Sequence, residues 1–160
     1  MSATFKFSET NGAGTTVTDD IANLNFGSND SVEVVPATYP IIAGENSYEK
    51  FLQANFSGTF TEISNMKFWM SGGTFGVGEG IDADVDVAYS QPVVSTSTVA
   101  TTAMPNAEGS AFDVLAADGT AVTIVAEGYT GYICLQLQTT GSTPSGAVDQ
   151  KEFTFQYDEV

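Results

Sequence analysis

The sequence predicts an all-β protein, a single antiparallel β-sandwich of jelly-roll-like type over residues 1–160, and three observations carry that reading. Apolar and polar residues alternate with a period of two, as in a half-buried strand, while the 3.6-residue helical period is hard to find. The alternating runs are short, recur about every ten residues and are parted by Gly, Asn, Asp and Ser. The chain is also rich in Ser, Thr and Gly, with only 15% charged residues, which favours strands and turns.

Phe5 and Phe7 open the first strand. Asp19 to Leu24 is too short for a helix and is read as a loop or a single turn. Ser47 to Phe60 is the clearest strand, with Tyr48, Leu52, Ala54, Phe56 and Phe60 on one face and Phe51 the one large apolar residue on the other. The alternation resumes from Ile63 to Met70, with Met66, Phe68 and Met70 opposite Lys67 and Trp69, and these two runs are expected to pair antiparallel. A glycine-rich loop over residues 72–80 leads into Ile81, Ala83, Val85, Val87 and Tyr89, which alternate with Asp82, Asp84 and Asp86.

Residues 93–110 have the lowest complexity and are expected to form a long exposed loop or arm. Strands follow at Phe112 to Ala116 and Ala121 to Ala126, joined by an Asp118-Gly119 turn, and at Tyr132 to Gln138. In the last run, Glu152 to Tyr157, the residues Phe153, Phe155 and Tyr157 mirror Phe5 and Phe7, so the terminal strands are expected side by side in one sheet.

Composition bounds the chemistry. The chain has 160 residues, four Lys, no Arg, no His and 20 acids, giving a formal charge of -16 and a pI near 4.1. A chain of this length buries roughly two thirds of its unfolded surface, enough for one core. Nucleic acid and anionic membranes are excluded as partners, because both require clustered cations. Without His there is no side chain that titrates near neutrality unperturbed and no imidazole ligand, and without Arg there is no bidentate anion clamp. Cys134 stands alone, so no intrachain disulfide forms. It is read as a packed core residue, since nothing nearby activates a thiolate. The opening residues lack a basic region followed by an apolar stretch, so synthesis in the cytosol is expected.

Asp82, Asp84 and Asp86 share a strand face and are the one candidate for a metal. A straight strand spaces alternate carboxylates about 6 to 7 Å apart, however, without the curl of a calcium loop, so a solvated acidic face is preferred and no metal or other cofactor is expected. Asn29-Asp30-Ser31 and Asn55-Phe56-Ser57 fit the glycosylation pattern but accompany no export signal. Tyr48, Phe51, Trp69 and Met104 are the candidate interface residues, because aromatics and Met are enriched where proteins meet.

The segment from Thr38 to Gly73 resembles a β-sandwich segment of small structural proteins of tailed-virus particles, capsid auxiliary or decoration proteins among them. The likeness rests on Gly44 to Lys50 leading into a long strand, on Ile63 to Trp69 forming the next, and on the opening residues with Ile21 to Gly27. It implies a non-enzymatic virion protein on the capsid surface, synthesised in the host cytoplasm. Such a protein would dock on the major capsid protein or another virion platform as a dimer or trimer. Two other readings stand beside it: a carbohydrate-binding module that stacks sugar on Trp69, and a glycosidase using two facing carboxylates.

Overall fold

A computed structural model describes residues 2–86, 88–146 and 148–160. Among the described residues ten strands follow one another: β1 (Ala3–Asn11), β2 (Thr16–Asp19), β3 (Lys50–Gly58), β4 (Ile63–Gly72), β5 (Glu79–Asp86), β6 (Thr102–Ala103), β7 (Phe112–Asp113), β8 (Gly128–Tyr129), β9 (Tyr132–Thr139) and β10 (Glu152–Glu159). The larger sheet has the order β2-β1-β3-β9-β5-β6, with β8 also on β3, and the smaller one is β10-β4-β7. Every pairing is antiparallel. The fold is therefore an all-β antiparallel sandwich with unequal sheets, and the strand order carries the description no further toward a jelly roll.

Alternation decides what lies between the sheets. Leu52, Ala54 and Phe56 of β3, Ile81 and Ala83 of β5, and Ile133, Leu135 and Leu137 of β9 face Met66, Phe68 and Met70 of β4. Burying a side chain the size of Phe56 or Phe68 contributes about 1.5 to 3 kcal/mol, so this layer is the main source of stability. Two glycines are required where they stand. Gly58 ends β3 at φ 97°, and a Cβ there would meet the Ser2 carbonyl at 2.8 Å. At Gly27 a Cβ would lie 2.9 Å from the Tyr39 carbonyl, in the long β2–β3 connection.

Four expectations are corrected. The runs read as a β3–β4 hairpin lie in opposite sheets, because β3 is flanked by β1 and β9 and β4 by β10 and β7. Facing each other across the core buries the apolar sides of both. The terminal strands do meet, but across the sandwich: Phe5 stacks on Phe155 with centroids 5.2 Å apart and planes 7° from parallel. The strands read on either side of the Asp118-Gly119 turn shrink to β7 and two isolated bridges, Ala116 with Thr130 and Ile63 with Ile124. The turn itself forms, with the Asp118 carboxylate accepting the Thr120 and Ala121 amides.

Residues 93–110 are not a free arm. They hold only β6 and a short 3-10 turn at Glu108–Ser110, yet Ala100 is fully buried and Met104 is buried in the core. Small apolar residues at wide intervals suffice to bury a segment whose backbone finds acceptors, as the Glu49 carboxylate provides here. Val87, placed by the sequence in the acidic strand, lies outside the described residues.

Candidate functional site

The outer face of the larger sheet is covered. Phe51, Cys134 and Asp84 are register partners across β3, β9 and β5. Phe51, Cys134 and Ala100 form a second buried cluster beneath Tyr89, Val99 and Tyr132. The strap over residues 88–101 is held by Glu49, just before β3, which is 1% exposed. Its carboxylate accepts the Thr98 amide at 2.7 Å, the Thr98 hydroxyl at 2.6 Å, and the Val99 and Ala100 amides at 2.8 and 2.9 Å. Gln136 continues the attachment, donating to the Ser47 and Ser95 carbonyls and accepting from the Ser97 hydroxyl. Burial, and then the Glu49 charge, push the Cys134 thiol pKa up, so it has no thiolate character and packs as a core residue.

A second set of buried charges is also committed to the fold. Lys50 and Glu9 are fully buried and pair at 2.8 Å, and the ammonium also donates to the Ser31 carbonyl at 2.6 Å. Asn11 donates to both Glu9 and Asp30, and Asp30 accepts the Tyr89 hydroxyl at 3.0 Å. Burial first, then that hydrogen bond, raise the Tyr89 pKa. The Lys50–Glu9 ion pair, extended through Asn11 to Asp30, ties β1, β3 and the 28–35 segment together.

Asp82, Asp84 and Asp86 are half-buried at the rim of the strap and do not form an open acidic face. Asp84 accepts the Val85 amide and the Thr102 hydroxyl, and Asp86 accepts the Ala88 amide. Among the described residues no three His, Cys, Asp or Glu side chains gather where a metal could be held.

A roomier site is built by the connections of the sandwich. A recess of about 850 Å³ opens between the β2–β3 connection and the β9–β10 connection. Ile81, Leu137 and Phe153 line it from the strands, and Leu24, Phe26 and Ile41 from the first connection. A smaller cavity of about 180 Å³ shares Leu24 and Phe153 with it and reaches Phe7, Leu52 and Phe68 of the core. Its walls are pinned. Gly44 donates to the Thr139 hydroxyl at 3.0 Å, and Thr140 donates to the Gly78 carbonyl at 2.9 Å. Lys151 reaches the Asp149 carbonyl at 2.6 Å and Glu79 at 3.6 Å, with its ammonium 5.5 Å from the Phe75 ring centroid. Lys151, the cation among the described lining residues, is thus paired, and the surface is mainly apolar, with Ile42 64% and Val148 41% exposed, but also carries Asn23, Asn25, Thr143, Asp149 and Gln150. Recesses of this size and lining are the usual form of binding sites.

The sequence-derived candidates do not converge on this recess. Phe51 is fully buried under the strap and Met104 lies in the core, so neither offers a surface. Tyr48 is half-buried and staples two connections, its amide donating to Gly27 and its hydroxyl to Val93. Trp69 is half-buried and points away from the core side of β4, opposite Thr154 of β10. The sequence reading missed the recess residues because they lie in irregular connections. The available signal was an excess of apolar residues, Leu24, Phe26, Ile41 and Ile42, within a loop punctuated by Pro36 and Pro40.

Comparison with known proteins adds no relative: no family model, curated protein or solved structure matches the chain.

Proposed function

We propose that this protein is a non-enzymatic docking module, of the virion decoration type its sequence resembles, that attaches by shape and apolar contact to a capsid protein or similar multi-copy platform. The observation that carries the reading is the pinned, mainly apolar recess, whose Lys151 is already paired with Glu79 and where Ile42 and Val148 are exposed. The buried charges Glu9, Lys50 and Glu49 each hold segments of the fold together through Oε1 of Glu9, the Lys50 ammonium and both oxygens of Glu49, which fits a protein whose surface is meant to bind and not to react. The remaining acids supply charge repulsion that keeps unbound copies soluble.

The test is co-sedimentation of the purified chain with particles of its source virus stripped of it. Wild-type protein pellets with the particles, and Ile42→Asp with Val148→Asp reduces binding at least tenfold while the melting temperature holds. Absence of the chain from mass spectra of intact particles overturns the virion reading, and unchanged binding by the double variant overturns the recess as the docking site.

A second reading keeps one specific support. Trp69 shares the outward side of the smaller sheet with Lys67 and Ser71, beside Thr154 and Gln156 of β10, an indole among hydrogen-bonding side chains that suits a sugar ring. A glycan array with specific binding lost in Trp69→Ala would favour it.

A further inference from the structure

The sandwich is open along one long side. Strand β10 ends the smaller sheet, and among the described residues nothing pairs with its free edge. On the same side of the larger sheet, β2 pairs with β1 from Ser8 to Asn11, and among the described residues Ala3 to Lys6 have no strand neighbour there. Between these two edges runs an aromatic seam. Phe5, Phe153, Phe155 and Tyr157 point inward, yet all four are only half-buried.

We propose that β10 is an acceptor edge for an extended segment of the partner protein, added as a further strand, with apolar residues alternating toward the aromatic seam and basic residues at both ends. The proposal rests on the docking reading only in taking the partner to be a protein. An unpaired strand edge supplies a row of backbone donors and acceptors, and a half-exposed aromatic layer beside it supplies pockets for every second side chain. The charge pattern selects the occupant. Glu152 stands at one end of β10 and Asp158 and Glu159 at the other. Lys151 does not offset them, because its ammonium is turned to Glu79, and Lys6 across the seam is paired with Asp20 at 2.6 Å. A second copy of this chain is disfavoured, since centred antiparallel pairing of two β10 strands sets Glu152 against Glu159. Strand β1 is the poorer acceptor, because the Ala3 amide already donates to Glu159 at 2.8 Å.

The experiment titrates the full chain at low salt with two eight-residue peptides alternating Thr and Val, one with a Lys at each end and one with a Glu at each end. The amide NMR signals of residues 152–159 are followed. The Lys-ended peptide should shift those signals and slow their hydrogen exchange, and bind about tenfold tighter than the Glu-ended one. The preference should narrow as salt rises. Glu152→Lys with Asp158→Lys should reverse it at an unchanged melting temperature. Shifts confined to the recess, equal binding of both peptides, undiminished binding of a backbone N-methylated peptide, or a dimer in sedimentation with β10 protected would each overturn the proposal. Because the assay uses neither particles nor the recess, its failure leaves the docking reading testable by co-sedimentation.

Discussion

Replacing Glu49 with Ala should release the strap and expose the sheet beneath it. The carboxylate takes four hydrogen bonds from residues 98–100, and the Ala100 amide is among the buried donors. Hydrogen bonds to an ionised group contribute about 1.5 to 3 kcal/mol each, but they are not additive, because a detached strap returns its donors to water. The loss is therefore bounded by the docking energy of the strap, for which about 3 to 5 kcal/mol is expected. For a chain of this size that corresponds to a fall in melting temperature of about 6 to 20 °C. Cys134 reports the same event locally, since it is fully buried with Ala100 and Phe51 packed against it. Its thiol should be inert to a disulfide reagent in native wild-type protein and titrate within minutes in Glu49→Ala. Glu49→Gln, which keeps one acceptor oxygen, should fall between the two. A Glu49→Ala protein melting within about 2 °C of wild type, with Cys134 still inert, would refute the reasoning that this carboxylate fastens the strap.

Lys50→Met leaves the Glu9 carboxylate buried without its cation and should cost about 3 to 5 kcal/mol in urea unfolding, while Glu9→Leu with Lys50→Met should recover most of it. Gly27→Ala should destabilise by about 1 to 3 kcal/mol and shift NMR signals of Phe26 and Tyr39, because the new methyl meets the Tyr39 carbonyl. The Tyr89 pKa is raised in the folded state, so its contribution is fully present below its ordinary value of 10.0 and is lost as pH rises toward the folded value. Tyr89→Phe should therefore flatten the alkaline limb of stability against pH above about 10. The Asp19 pKa is lowered, first by the Ser8 hydroxyl at 2.6 Å and next by the Tyr129 hydroxyl, so its contribution is present above 3.8 and fades as pH falls below that. Asp19→Asn should reduce the acid sensitivity of the melting temperature in that range.

Strand positions were legible in the sequence because alternation is a local property. The runs opening at Ser47, Ile63, Ile81, Tyr132 and Glu152 each carry their pattern within themselves and hold β3, β4, β5, β9 and β10, whereas the runs at Phe112 and Ala121 gave only the two-residue β7 and no strand. Strand partners were not legible. Phe56 and Phe68 have the same pattern whether their strands lie side by side or face to face, and only the competition of β1, β9, β10 and β7 for edges decides between these. The recess was hidden for a related reason: Leu24, Phe26, Ile41 and Ile42 lack a period, and a loop has no signature for what it packs against.

What the sequence determined by itself was the fold class and the limits of chemistry. No His, no Arg and a single Cys remain true in any tertiary arrangement, and a two-residue period admits little other than strands. What only the tertiary structure decided was the fate of individual charged and polar groups. Lys50, Glu9 and Glu49 look like surface residues in one dimension and are buried in three, because desolvating a charge becomes tolerable only when distant segments bring its partners to it. Sheet order, the strap over Cys134 and the open β10 edge follow from the same long-range pairing, which no local window of sequence contains.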